Sequence, residues 1–410
     1  MIHGEHKGQL YSQAQAYDAH GRVQRAIDRG ALNKRLLDVL AAMPNVKFFF
    51  HHKLVGADFR KNKAWFERRT PHGNSETSQA HDEAEVDFDF MIGADGAHSA
   101  VRYHLMKFAR LNYQQEYIDT LWCEFQIPPS VTGGFRISPN HFHIWPAGSH
   151  MFLAIPNLDT SFTCTLFLQA EKFEQLDQDP RSVIPFFQKN YPGIIPDLIT
   201  EEDAVRQYKE NPHLPLISIK CTPYHFGSSV VIVGDAAHAM VPFYGQGMNT
   251  GMEDVRVLFE ILDQYSATAS QTGTPASSSK GDSSAQARST ALAAYSAQRH
   301  PDTAAINDLA IRNYQEMRAD VRSRWYLFRK HVEEWLSLYV PRLGWATQYA
   351  RVSFGNMRYS EVETRAKWQG MVLWRVVMMS GLTMGGLAGW WMGRNQFWRR
   401  IGGNIRPRWS

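Results

Sequence analysis

The sequence predicts an α/β fold with a second, antiparallel-sheet domain and a helical C-terminus, and three observations carry that reading. The first is one stretch, VVIVGDAAHAMVPFYGQGMNTGMEDV, from Val230 to Val255. Val230–Val233 form the apolar, β-branched run of a short buried strand. Gly234 and Asp235 turn out of it, and Pro242, Gly245, Gln246 and Gly247 make a loop that opens a helix near Asn249. The second is a series of β-rich runs between Tyr113 and Phe167 (DTLWCEFQIP, FHIWPA, HMFLAIPN, SFTCTLFLQ), spaced for an antiparallel sheet rather than more βαβ units. The third is the Arg-rich, amphipathic helical pattern that fills Ala291 to Lys367.

The remaining elements follow in order. Leu32, Leu36, Leu37 and Leu40 stand at helical spacing and predict a helix over Arg29–Ala42. NVKFFFHHKLVGADF and KAWFERRT read as two strands joined by a charged turn, and residues 70–85 are polar. DFDFMIGADGAHSAVR reads as strand, turn and helix start, and EKFEQLDQDPRSVIPFFQKNYP as helix on either side of Pro180. Ser266–Thr290 is low in complexity and reads as a disordered surface insertion.

The central stretch is also where chemistry is expected. A strand that ends in an Asp and runs through a glycine-rich loop into a helix N-terminus suits a polyol-phosphate ligand. The Asp accepts hydrogen bonds from hydroxyls, and the glycines let backbone N–H groups approach oxygen atoms closely. The competing reading is a tight strand–helix connection without a ligand.

Composition narrows the partners. The 410 residues suffice for two or three domains, and 44% apolar and 12% aromatic residues are ample for a packed core. A net charge of +4, with no zinc-finger spacing or RNP-like motif, gives no reason to expect nucleic acid. Cys123, Cys164 and Cys221 are scattered, which argues against a disulfide framework and for a reducing compartment. His51 and His52 are merely adjacent, and no H-E-x-x-H or facial-triad spacing implies a metal. At the other end, Val376–Gly393 holds no charge. As a helix it would span about 27 Å, close to a bilayer core. It extends upstream to Met371 if Arg375 snorkels; Trp390, Trp391, Trp398 and Trp409 cluster near its far end, and five arginines follow. The segment reads as a transmembrane anchor over residues 371–393; the alternative is a buried hydrophobic helix.

GDAAHAMVPFYGQGMNTGMEDV resembles the second flavin-binding motif of class A FAD-dependent aromatic hydroxylases. ALNKRLL (31–37), IGADGAHSAVR (92–102), HIWP (143–146), SFTCTLF (161–167) and RNYQEMRADV (312–321) stand in the order seen in the kynurenine 3-monooxygenase branch of that family. The resemblance covers the chain apart from the serine-rich stretch. One departure is plain: no G-x-G-x-x-G occurs anywhere, so the chain reads as N-terminally truncated.

The fold implied is an incomplete FAD-binding (p-hydroxybenzoate hydroxylase-like) domain with an antiparallel-sheet substrate domain, C-terminal helices and one C-terminal transmembrane helix. Its parts are expected at 1–108 and 225–265 for FAD, 109–224 for the substrate sheet, 266–290 for the insertion and 291–367 for the helical region. The function implied is FAD- and NADPH-dependent hydroxylation of L-kynurenine by O2, on the mitochondrial outer membrane with the bulk of the chain facing the cytosol. The second reading is a catalytically silent, membrane-anchored fragment unable to hold FAD.

Residue by residue, the resemblance places Asp235 on the flavin ribityl chain and Gly245, Gln246, Gly247, Met248 and Asn249 against the flavin ring. Arg29, Leu54 and Asp95 fall at further cofactor positions, and Arg102 at one that supports pyridine-nucleotide approach. Tyr17, Asn313 and Tyr349 match polar substrate contacts, with Phe243, Glu316 and Met317 beside the ring. No side chain is expected to act as a catalyst, because the flavin carries the oxygen transfer. His238 reads as a structural turn residue.

Overall fold

The computed structural model describes residues 1–16, 18–68, 83–271, 280–318 and 324–402, with backbone only at 269–271, 280–282, 318, 324–326 and 381–402. The chain forms two compact units, one ending at Tyr326 and one beginning at Leu327.

Alternation of inward and outward side chains builds the larger sheet of the first unit. Its order is β11-β7-β10-β9-β8-β1-β2, from Leu214–Thr222 (β11), Asn112–Ile127 (β7), Phe162–Leu168 (β10), Met151–Pro156 (β9), His143–Pro146 (β8), Ile2–His6 (β1) and Gln9–Gln13 (β2). Every pairing is antiparallel except β1 with β8, which is parallel at Ile2↔Ile144. Cys123, Phe125 and Ile127 of β7 and Phe162, Cys164 and Leu166 of β10 point to one face. There they bury against Phe173 of α3 (Ala170–Gln178), Phe187 of α4 (Val183–Asn190) and Tyr208 of α5 (Glu201–Glu210). The expected sheet and the helices flanking Pro180 are therefore present.

A second core surrounds a short sheet, β12-β13-β6, made of His225–Phe226, Val230–Ile232 and Met91–Gly93. Val230–Val233 pack against Val101 and Leu105 of α2 (Ala100–Leu105), Leu258 and Ile261 of α7 (Gly247–Gln271), and Leu292 and Tyr295 of α8 (Lys280–Arg318). The third sheet joins β3 (His52–Asp58), β4 (Lys63–Arg68) and β5 (Glu83–Asp87) in antiparallel order. Before it, α1 (Arg29–Ala41) starts on Asp28, whose carboxylate accepts the Ala31 N–H. The four-residue helix α6 (Asp235–His238) follows β13. The second unit contains most of α9 (Arg324–Tyr339), then α10 (Gln348–Phe354) and α11 (Tyr359–Gly402).

Two expectations need correction. The serine-rich stretch is helical at both ends, because α7 runs to Gln271 and α8 begins at Lys280; residues 272–279 lie outside the described residues. Ala, Gln and Arg propagate helix well, and Arg288 secures α8 by donating to Ser228 O and Asp89 O. The strand expected from Asn45 begins only at His52. Among the described residues no helix is long and apolar enough to cross a membrane. Glu361, Glu363, Arg365, Lys367 and Arg375 charge the part of α11 whose side chains are described; most of the expected anchor lies beyond it.

Candidate functional site

β6 and β13 pair in parallel, with Val230↔Met91, Val231↔Ile92 and Ile232↔Gly93 in register. Two motifs far apart in sequence thus leave the sheet side by side, at the carboxyl ends where open α/β sheets bind ligands. After β6, Asp95 turns the chain into α2. One oxygen accepts from the Ser99 hydroxyl (2.5 Å), the other from the Val101 N–H (3.0 Å), and Ser99 Oγ accepts the Arg102 N–H (2.9 Å). Gly93 has to be glycine, since a Cβ there would meet Val101 at 2.7 Å. Arg102 is buried and donates to Ala236 O (2.7 Å) and Ala97 O (2.6 Å). Its guanidinium therefore ties the two turns together instead of reaching outward to a pyridine nucleotide.

After β13, Gly234 adopts φ 58° and ψ −141°, a conformation open essentially to glycine. Its N–H donates to Asp254 Oδ2 at 2.9 Å. Asp254, on α7, is fully buried and also accepts from His238 Nε2–H (2.5 Å) and Arg299 Nε–H (2.9 Å). Arg299, on α8, is itself buried and reaches Glu253 at 3.0 Å. Burial alone would raise the Asp254 pKa; the His238 hydrogen bond, the His238 and Arg299 charges and the Gly234 N–H outweigh it and hold the carboxyl below its usual value. Burial would lower the Arg299 pKa, and the Asp254 and Glu253 charges reverse that. His238 is thus a turn residue committed to Asp254.

Asp235 differs in every respect. It is exposed, and among the described residues no protein hydrogen bond occupies its carboxylate. Surrounding protein and the Asp254 charge push its pKa up, with His238 opposing. A turn at Pro242–Tyr244 then delivers Gly245, in the left-handed region at φ 65°, and Gly247 at the start of α7. A Cβ added at Gly234, Gly245 or Gly247 would meet nothing within 4 Å. Gln246 is buried, accepting from Asn249 Nδ2 (3.1 Å) and, through its carbonyl, from Thr250 N–H (2.8 Å). Met248 and Asn249 are exposed. The first-turn N–H groups of α7 have no partners within the helix and carry its positive dipole end. An unengaged carboxylate, room beside three glycines and these donors fit a ligand bearing hydroxyls and a ring carbonyl, as the ribityl and isoalloxazine parts of FAD do.

The expected substrate residues are partly assembled. Asn313 is buried and donates to Phe243 O (2.8 Å), with Met317 Sδ at 3.4 Å. Phe243 stacks on Tyr314 at 4.3 Å and lies 4.8 Å from Phe167. Glu316 is half-buried on the same helix as Asn313. Asn313 therefore fastens the loop before α7 as well as facing the same locality. Tyr349 stands on α10 in the second unit, and Tyr17 lies outside the described residues. Arg29 is exposed at the start of α1, and among the described residues no hydrogen bond or ion pair joins it to either turn. Leu54 lines an open cavity of about 490 Å³ with Ser99, Arg102, Tyr103 and Tyr113, next to the Asp95 turn. Sequence reasoning missed Asp254 and Arg299; a buried Asp–Arg pair on two helices leaves no local signal.

The family described as FAD binding domain matches residues 27–309. The kynurenine 3-monooxygenase of Neurospora crassa is 60% identical over 405 residues, covering 95% of this chain and 77% of that protein. The kynurenine 3-monooxygenase of Neosartorya fischeri is 58% identical over 375 residues, covering 91% and 72%. Among solved structures, pqsL of Pseudomonas aeruginosa, titled a probable FAD-dependent monooxygenase, shares the fold with a TM-score of 0.51 at 18% identity over 72% of each chain. With the paired turns, the glycine-lined loop and these relatives in view, the chain belongs to the kynurenine 3-monooxygenase family of FAD-dependent monooxygenases.

Proposed function

We propose that the protein hydroxylates L-kynurenine to 3-hydroxy-L-kynurenine, consuming NADPH, a proton and O2 and releasing NADP⁺ and water. The observation that carries this is the identity of 58–60% to two kynurenine 3-monooxygenases across more than nine tenths of the chain. When bound, FAD takes reducing equivalents from NADPH and supplies the oxygen transfer. The chain's own residues hold and shield. Asp235 would accept a ribityl hydroxyl, and the first-turn N–H groups of α7 from Gly247 to Asn249 would suit the ring edge that gains negative charge on reduction. Phe243 offers an apolar wall that keeps water from the reacting face. Asn313 supplies a donor suited to the carboxylate of an amino acid. A silent fragment is not favoured, because the Asp235 turn and its loop are intact.

The test is NADPH oxidation with and without L-kynurenine, with product separated chromatographically. Kynurenine-dependent oxidation yielding 3-hydroxykynurenine is expected; oxidation indifferent to kynurenine, without that product, would remove the assignment.

Membrane attachment through residues 371–393, with the first unit facing the cytosol from the mitochondrial outer membrane, is part of the same proposal. The uncharged run Val376–Gly393 and the arginines after it support it. Removing everything after Lys367 should release the chain from the membrane pellet, and continued pelleting would place the attachment elsewhere.

A further inference from the structure

Within the second unit, α9 departs from the pattern of an ordinary water-soluble helix. A helix at a protein surface turns its apolar stripe inward and its charges outward. Among the described side chains of α9 the most buried is Glu333, 4% exposed, while Trp335 is 56%, Leu338 44% and Tyr339 70% exposed. Glu333 accepts from Arg329 at 2.9 Å, and the Arg329 guanidinium lies about where a Cβ on Gly370 of α11 would touch it, at 3.5 Å. That polar edge is therefore fixed against α11. At 100° per residue, Phe328, Trp335 and Tyr339 fall within about 40° of one another on the helix. Trp335 and Tyr339 pack together with ring centroids 5.6 Å apart. Leu343, in the turn Pro341–Leu343 just beyond the helix, is likewise exposed, next to Arg342.

Charge follows the same division. From Leu327 onward the chain has thirteen Lys or Arg against four Asp or Glu, whereas residues 1–326 have thirty-one against thirty-six. Three of those four carboxylates already have partners within the unit: Glu333 with Arg329, Glu334 with Lys330 and Glu363 with Lys367. The formal excess of the unit, thirteen less four, is nine positive charges. An exposed Phe/Trp/Tyr stripe on a strongly basic unit has the chemistry of a helix lying in the headgroup layer of an anionic membrane.

We propose that α9 lies flat in the interface of an anionic bilayer, a second membrane contact distinct from the α11 anchor. Trp335 and Tyr339 would sit at headgroup depth, and Arg342 would face lipid phosphate. Neither requires a span, so the contact is compatible with α9 being too short and too polar to cross. The inference rests on the membrane attachment proposed above, and it is tested separately from it.

Cys123, Cys164 and Cys221 are all buried, so a thiol introduced on α9 can be labelled selectively. Trp335→Cys and, separately, Tyr339→Cys would carry an environment-sensitive fluorophore in the full chain, with Glu361→Cys as the water-facing control. The labelled protein is bound to phosphatidylcholine vesicles with and without phosphatidylserine. On phosphatidylserine vesicles the two α9 probes should shift to shorter wavelength, lose quenching by iodide and gain quenching by brominated lipid, while the control changes in none of these. If the chain pellets with vesicles but the α9 probes stay as open to iodide as in free solution, the α9 contact is overturned and the α11 anchor stands. If the chain does not pellet at all, both are overturned. A blue shift that rises with protein concentration in the absence of vesicles would assign the stripe to a second copy of the chain, and would equally overturn the bilayer reading.

Discussion

The turns after β6 and β13 are built from the same local parts, a strand, a glycine, an aspartate and a short helix, yet they use the aspartate in opposite ways. Asp95 is consumed by its own turn, accepting from the Ser99 hydroxyl and the Val101 N–H. Asp235 is relieved of that task. The N–H that needs capture there, on Gly234, goes instead to Asp254, supplied from α7 and neutralised by Arg299 from α8. One acid is structural; the other is left open to a ligand because a more distant acid holds the turn for it. An aspartate beside a glycine therefore indicates a binding residue only when something else satisfies the turn.

The largest effect should come from removing the distant acid. Asp254→Ala leaves Arg299 buried without its main partner and the Gly234 N–H without an acceptor. Breaking a buried ion pair from one side costs about 3–5 kcal/mol, so urea unfolding should shift by that order. A midpoint within error of the parent would show that the turn after β13 does not depend on Asp254.

Asp235→Asn should do the converse. Loss of a charged hydrogen-bond acceptor is worth about 1.5–3 kcal/mol, so FAD affinity should fall roughly ten- to hundred-fold. The flavin-free protein should not be destabilised, because the native fold disfavours this ion: its pKa is raised above the unfolded value. A carboxyl shifted upward penalises the native state above its folded pKa and ceases to do so below the unfolded one. The variant should therefore melt slightly higher than the parent at neutral pH, with the gap closing as pH falls through the raised pKa. A gap that widens on acidification would contradict the sign. Asp254 has the opposite dependence, since its lowered pKa contributes stability above the unfolded value that is lost as pH falls through the folded one.

The smallest effect belongs to Asp95→Ala. It removes a capping carboxylate from a short helix, typically about 1 kcal/mol, and should lower the melting temperature while leaving FAD affinity near that of the parent.

Most elements of this architecture were legible because their signals are local. The leucine spacing in α1, the alternation in β7 to β10 and the valine run into Gly234 each determine an element from a few neighbours. Resemblance then supplied what spacing could not, the match of Gly245–Asn249 to a flavin loop. What stayed hidden is non-local or compositional. Asp254 stands in a plain helical stretch, and nothing near it in sequence announces that Gly234 and Arg299 will converge on it. β1 and β2 alternate too weakly to stand out, since every side chain of β2 is exposed. The start of α8 looks disordered by composition, yet Arg288 anchors it through backbone oxygens from Asp89 and Ser228. The inverted face of α9 was legible as helix but not as inverted, because burial of Glu333 depends on where α11 lies.

The division of labour between the two aspartates is tested most directly by FAD titration of Asp235→Asn and Asp95→Asn, each followed by flavin fluorescence and paired with a melt of the flavin-free protein. The result predicted is weakened FAD binding without loss of melting temperature for Asp235→Asn, and a lowered melting temperature with FAD affinity retained for Asp95→Asn. Equal losses of affinity in both variants, or retained affinity in Asp235→Asn, would contradict the account.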